Sequence, residues 1–469
     1  MTHTETERAA RRDKAFFGHP GGLGWLSATE FWERFSYYGM LTLLALYMNQ
    51  QLFKPGHIEH IIGFAPFRRF VEGLYGAHSA QALAAGIVGL YAGLVYVTPL
   101  AGGYLADRFI GRTMAITIGA SLMALGHFLM AFDATFLFAL LSLLLGVGCF
   151  KGNIASQVGG LYGTNDPRRA DAFQVFLLSV QVAVIISPLI CGTLGQKVAW
   201  HWGFGAAGIG MLLGLVIYLS GRSWLPPEPK RDPVSRAARA PLTARDWRAV
   251  IVLVALLPVL AVGIIGNQEI LNAYLVWAQP TFQLTFFGFD MPVTWIASVD
   301  SIISAVTLVM VVGFWRWWAT RFTEPDEITK ITIGVMLAAI GPLSLAAAAA
   351  IAVGGHKASL GWAILFHVVN DIGFANVLPV GLALYTRAAP KQLTGVMIGV
   401  YYLHLFAGNL LTGKLAGELE KMSGVSFWLM HAGLMAASAA ILLVVRNAAG
   451  KTLAPSYAHA AQPALAEAS

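Results

Sequence analysis

Residues 30–39 read Glu-Phe-Trp-Glu-Arg-Phe-Ser-Tyr-Tyr-Gly and lie near the start of an apolar stretch that runs from Gly22 to Leu52. At helical spacing Glu30 and Arg34 are i,i+4 neighbours and Glu33 reaches Tyr37, so acids, guanidinium and phenol share one helix face. Ionisable groups at bilayer depth cost about 2.5–3.5 kcal/mol each and normally face a polar cavity or pathway. The leading reading is a proton or substrate route; the competing one is a helix end whose charges reach the headgroups.

The chain that must position this face is 57% hydrophobic and 12% charged, with a mean hydropathy of +0.65. Soluble proteins lie near ~45–50% apolar and ~25% charged, so this is a polytopic membrane protein. Apolar segments of at least ~18 residues number twelve, centred near residues 38, 93, 121, 145, 184, 211, 262, 304, 341, 374, 404 and 436. Arg108/Arg112, Arg168/Arg169, the run from Arg222 to Arg248, Arg316/Arg321/Lys330, Arg387/Lys391 and Arg446/Lys451 fall on even-to-odd connections or the tail. That alternation predicts cytoplasmic termini and accounts for the net charge of +7 without nucleic acid.

The first connection, 53–78, breaks the pattern with Lys54, Arg68 and Arg69 and has room for a short amphipathic helix. A Pro- and Arg-rich break from Trp224 to Arg245 divides six spans from six and is too short and polar for another. The basic residues at 8–14 precede a span too long for a signal-peptide core, and the Ala-rich tail beyond Lys451 reads as disordered. Cys149 and Cys191 both fall in apolar stretches and suggest no metal site.

Lys151 stands mid-segment in the fourth span and calls for a buried acid, whether in a moving or a static ion pair. His367 and Asp371 are i,i+4, consistent with a proton relay or a satisfied hydrogen-bonded pair, whereas His127 and His404 are lone helix histidines. The histidines are scattered and no nucleophile or metal constellation is concentrated anywhere, which argues against an enzyme.

The 30–39 segment resembles the ExxER motif of the proton-dependent oligopeptide transporter family within the major facilitator superfamily. The likeness continues through Gly-Gly-Tyr-Leu-Ala-Asp-Arg-Phe-Ile-Gly-Arg at 102–112, Phe-Lys-Gly-Asn at 150–153, and the stretches at 160–169, 186–195 and 200–205. It thins in the second half, at Met291-Pro-Val-Thr-Trp295, Leu378-Pro-Val-Gly-Leu382, Ala389-Pro-Lys391 and Gly408-Asn409. The resemblance implies an all-α major facilitator fold of 12 transmembrane helices as two six-helix bundles. On that reading 1–21 is a cytoplasmic segment, 22–221 the first bundle, 222–247 a cytoplasmic linker, 248–447 the second bundle and 448–469 a cytoplasmic tail.

It further implies that Glu30, Glu33, Arg34 and Lys151 couple proton movement to reorientation, with Lys151 pairing with the acids of the first span. Asp107, Arg108 and Arg112 would form a cytoplasmic latch, with Gly103 and Gly111 permitting close approach; their other reading is a set of topology charges. Substrate would meet Tyr37, Tyr38, Tyr96, Gln181, Asn267, Asp300, Phe374 and Tyr401. Three of the family's charges are missing from these positions. Leu41 stands where an arginine usually holds the peptide carboxylate, Asn267 where a glutamate pairs with that arginine, and Phe374 where a glutamate grips the amine. Losing both halves of a buried pair can be neutral, so Leu41 with Asn267 is a coherent redesign. Asp300, with Glu269 as a second acid, remains available for an ammonium.

The expectation is a proton-coupled secondary transporter in the plasma (inner) membrane, monomeric, with no cofactor beyond the coupling proton. It would import peptides or peptide-like small organic solutes by alternating access. A carrier of an amine-bearing or aromatic metabolite and a non-transporting membrane sensor are the alternatives. Its partners would be a small-molecule substrate and the lipid bilayer.

Overall fold

The structure, a computed structural model, describes residues 13–76, 79–163, 166–226, 228, 242–390 and 393–453. The first twelve residues, most of the Pro/Arg-rich linker (227 and 229–241) and the Ala-rich tail from 454 lie outside the described residues.

Its framework is helical: α1 (Gly21–Tyr47), α2 (Phe64–Tyr75), α3 (Ala80–Leu105), α4 (Arg112–Leu129), α5 (Phe136–Gly160), α6 (Arg168–Thr193) and α7 (Trp200–Ser220) come first. They are followed by α8 (Ala244–Gly263), α9 (Ile265–Gln268), α10 (Ala273–Thr281), α11 (Trp295–Ala319), α12 (Glu327–Ile351), α13 (Leu360–Ala388), α14 (Thr394–Leu415) and α15 (Gly424–Leu453). Among the described residues, eleven helical segments are long and apolar enough to cross a membrane. α1 is a twelfth by length, since its 27 residues extend about 40 Å at 1.5 Å per residue. Its acids and guanidinium keep it out of the purely apolar set.

The described residues within Met1–Arg231, with Leu271–Gln279 and Leu284–Ile302, form one compact unit. Those within Asp232–Ile270, Pro280–Gln283 and Ile303–Ser469 form the other. In the first unit α1, α3 and α6 each run into a five-residue π turn, at Met48–Leu52, Ala106–Ile110 and Leu194–Val198. The connection at 53–78 does hold a helix, α2, bounded by Gly63 and Gly76 in the left-handed region and burying Phe64, Val71 and Tyr75. A short hairpin, β1 (Thr285–Phe286) with β2 (Phe289–Asp290), was not anticipated. Phe287 and Gly288 both take positive φ at its turn, as a two-residue primed turn requires.

The seventh span differs from a continuous helix. α8 stops at Gly263, α9 is a single turn, a 3-10 turn follows at Glu269–Leu271, and α10 resumes at Ala273. Glycines weaken a helix, and here close packing demands them. A methyl at Gly263 would stand 3.0 Å from Val335 Cγ2 and 3.1 Å from Ser438 Oγ. One at Gly266 would stand 3.1 Å from Met435 Sδ and 3.2 Å from Asn370 Oδ1.

Without a hydrophobic drive between helices in lipid, small residues permit the close van der Waals packing that holds spans together. Gly119 and Gly146 face each other between α4 and α5, as do Gly334 and Gly373 between α12 and α13. One very close crossing joins α3 to α5, where a methyl on Gly102 would lie 2.0 Å from the Gly148 carbonyl oxygen. This corrects the expectation for Gly103, around which nothing lies within 4 Å. Gly111 is required for another reason, its φ of +81°. Gly102→Ala should therefore cost about 1–3 kcal/mol and lower the thermal unfolding midpoint in detergent, whereas Gly103→Ala should leave it near wild type. Equal midpoints for the two variants would show that this crossing can relax.

Candidate transport site

α1 carries its ionisable face into the interior of the first unit: Glu33 is 0% exposed and Glu30 and Arg34 are 5% each. Arg34 Nε donates to Glu30 Oε1 at 2.8 Å, the i,i+4 bond that the spacing calls for. Glu33 Oε2 lies 2.6 Å from the same nitrogen, close enough for ion pairing. Its alignment does not make a hydrogen bond, and among the described residues neither Glu33 oxygen accepts one. Neighbouring side chains project about 100° apart around a helix, so one guanidinium edge cannot address both acids squarely. Glu30 Oε2 and Arg34 Nη2 also lack hydrogen-bond partners among the described residues. The cluster thus has charge compensation but few hydrogen bonds.

Two expected contacts take another form. Tyr37 makes no hydrogen bond to Glu33; instead the Arg34 guanidinium carbon stands 5.7 Å from the Tyr37 ring centroid. Lys151, on α5, forms no ion pair with the α1 acids among the described residues. Its Nζ lies 4.8 Å from the centroid of Tyr96, a cation–π contact that desolvated ammonium groups favour. Lys151 remains near enough to Glu33, Glu30 and Arg34 for their charges to interact. Tyr38 packs edge-on against Tyr37 at 5.1 Å, and Asp300 of α11 acts electrostatically on Tyr38 and Tyr274.

The residues expected to meet substrate fall in separate units. Tyr37, Tyr38, Tyr96, Gln181 and Asp300 belong to the first; Asn267, Phe374 and Tyr401 belong to the second. Asn267 sits on α9, where its Oδ1 accepts from Gln268 Nε2 at 3.2 Å. Phe374 is partly exposed on α13. Tyr401 departs from its expected lining role, being 0% exposed with its hydroxyl donated to Leu378 O at 2.8 Å. The carbonyls it reaches lie directly before Pro379, which stands within α13.

At the loop signature, Asp107 and Arg108 lie on the π turn after α3, and Arg112 opens α4. Arg112 Nε stands 3.4 Å from Asp107 Oδ1. Sequence reasoning missed Glu228, whose carboxylate accepts from the backbone nitrogens of Arg112 at 3.1 Å and Thr113 at 2.6 Å. It caps the positive end of α4 from the linker. Burial pushes the Glu228 carboxyl up, but hydrogen bonds from Thr113 and Arg112 outweigh it and hold the group below its ordinary value. One of two acids in a Pro- and Arg-rich break was the available signal. Asp166, just before α6, is likewise held below its ordinary value by hydrogen bonds from Arg168. Sequence reasoning also overlooked His431 on α15, whose Nε2 lies 3.4 Å from Glu269 Oε1, both side chains 0% exposed.

Among the described residues, twelve long helices with a buried ion cluster on the first and an interrupted seventh define a polytopic all-α membrane carrier of the major facilitator type. The family model described as the POT family matches residues 113–252 and 244–429. The chain belongs to the POT family, a family of transporters, and is not an enzyme. It is 29% identical to the peptide transporter YePEPT of Yersinia enterocolitica, over 87% of this chain and 89% of that one. It is 28% identical to a di-/tripeptide transporter of Lactococcus lactis subsp. cremoris, over 93% of this chain and 97% of that one. Its fold is that of a crystal structure of the peptide transporter POT in complex with sulfate, with a TM-score of 0.82 at 24% identity, covering 96% and 99% of the two chains.

The α1 cluster yields a direct energetic test. Removing only the cation strands two buried acids, at about 3–5 kcal/mol, while removing charges together is far milder. Arg34→Met should lower the thermal unfolding midpoint more than the double variant Glu30→Gln/Arg34→Met. A double variant less stable than the single one would contradict this ion pairing.

Proposed function

We propose that this protein is a plasma-membrane importer in which a proton on Glu33 drives the uptake of a peptide-like solute, with both termini in the cytoplasm. One observation carries the reading: Glu33 is 0% exposed, lies beside Arg34, and accepts no hydrogen bond among the described residues. A carboxylate so placed is costly to keep charged, and a proton from outside water removes that charge and loosens the hold of Arg34. Lys151, poised over Tyr96, is then the cation that meets the deprotonated acid when the carrier resets. Asp107, Arg108 and Arg112 act on the conformational equilibrium, not on substrate. The likeness to named peptide transporters supports the substrate class.

A second reading of the substrate rests on the departures at the anchor positions. Leu41 is buried and apolar and Phe374 presents a ring, so neither offers a charge to a zwitterionic peptide. Tyr38, Gln181 and Asp300 suit a solute with an ammonium group and a masked or absent carboxylate. Substrate coordination by Tyr37, Tyr96, Asn267 and Phe374 belongs to the same proposal.

In proteoliposomes, an inward proton gradient should raise uptake of labelled dialanine amide above that of dialanine. Glu33→Gln should abolish gradient-driven uptake, a loss of at least about tenfold, while sparing counterflow, because glutamine keeps the shape without binding the proton. Gradient-driven uptake at the wild-type rate in that variant would remove Glu33 from the mechanism.

A further inference from the structure

The second unit contains a buried acid–base pair that the α1 mechanism does not use. Glu269 lies in the 3-10 turn after α9, where the seventh span is interrupted, and His431 lies one turn before Met435 on α15. Glu269 Oε1 is 3.4 Å from His431 Nε2, and both side chains are 0% exposed. The other ring nitrogen of His431 is engaged with the Phe427 carbonyl at 2.9 Å, which turns Nε2 toward the carboxylate. Because a carbonyl can only accept, Nδ1 carries a hydrogen there and Nε2 is the nitrogen open to protonation.

The elements packed around this turn carry few other ionisable groups near it. Gly266, one turn before Glu269, brings α9 against Asn370 of α13 and Met435 of α15. α13 contributes further titratable groups, Asp371 and His367, 1% and 0% exposed, and Asn370 donates to Asp371 Oδ1 at 3.3 Å. α14 contributes His404, fully buried with Nδ1 at the Tyr401 carbonyl, and more than a turn past Asn409 it carries Lys414. Asn409 itself ties α14 to α9 through Gln268 Oε1 at 2.8 Å. α8 has no titratable side chain after Arg248, and those of α12, Glu327 and Lys330, are confined to its first turn. Ile265, Ala338, Ala339 and Met435 form an apolar cluster beside this turn.

We propose that Glu269 and His431 together form a second proton-binding site, within the second unit and separate from Glu33. This extends the proposed proton-coupled transport and rests on it. In the empty form the pair is carboxylate and neutral imidazole, with one negative charge. One proton from water makes it neutral overall, as an ion pair or as a carboxylic acid beside imidazole, and the same proton leaves to water when the site reopens. No other co-reactant is needed. The interrupted seventh span suits this exchange, since the helical ladder is already broken beside Glu269 and a change of charge there need not break a continuous one.

The test uses ligand-free, full-length protein in lipid nanodiscs and counts protons taken up on acidification with a soluble pH-indicator dye. Glu269→Gln should take up one proton fewer than wild type, while Glu33→Gln should retain the step that Glu269→Gln loses. His431→Gln, which removes the imidazole and leaves the acid, should move the pH of that step. Wild-type uptake by a folded Glu269→Gln protein would overturn the proposal. If that variant fails to fold, an unmoved step in His431→Gln would overturn it instead. Because no substrate is present, a wild-type carrier without gradient-driven uptake would refute the transport reading and leave this count intact.

Discussion

The arrangement depends on one constraint: Arg34 must compensate two acids inside a membrane helix while squarely bonding only one of them. Arg34 Nε satisfies Glu30 at 2.8 Å and leaves Glu33 as a close but poorly aligned neighbour. Fully hydrogen-bonded buried charges are rigid elements of structure. A carboxylate with an ionic neighbour and no hydrogen bond is easier to switch, because protonation breaks little. The sequence Glu-x-x-Glu-Arg builds this inequality, since i,i+4 favours Glu30 and i,i+1 disfavours Glu33.

Such a cluster can persist only inside a well-packed unit. The glycine crossings of α3 with α5 and α4 with α5 draw helix backbones together and leave little room for lipid or water between them. In the same unit π turns end α1, α3 and α6, and each widens the ladder where a helix passes into a connection. The second unit uses glycine differently. Gly263 and Gly266 allow close contact where the seventh span is interrupted, and Glu269 and His431 meet just beyond that interruption. Glu228 adds a smaller device, capping α4 beside the loop signature from the linker side.

Much of this was legible in the chain, and for identifiable reasons. Charges in an apolar run stand out whatever their partners, so the α1 face, Lys151 and the twelve spans could be read from pattern alone. Close approach at the glycine-rich 102–103 pair was also readable, but which glycine meets α5 depends on helix rotation, and it is Gly102. Lys151 needed a partner, yet composition cannot separate a carboxylate from the face of Tyr96. Tyr401 sat at a family pocket position, but its hydroxyl is committed to carbonyls beside Pro379. The Glu228 cap and the Glu269–His431 pair join residues 115 and 162 positions apart, beyond any local periodicity. The hairpin at 285–290 is too short for a repeating signal.

The central claim is that Glu33 exchanges its proton within the functional range of the protein while remaining buried beside Arg34. The most direct measurement is pH-difference infrared spectroscopy of full-length protein in lipid, following the carboxylic acid carbonyl band. A band that appears on acidification, is absent from Glu33→Gln and persists in Glu30→Gln is the predicted result. An unchanged band in Glu33→Gln, with the signal lost instead from Glu30→Gln, would contradict the assignment and make Glu33 a fixed counter-ion of Arg34.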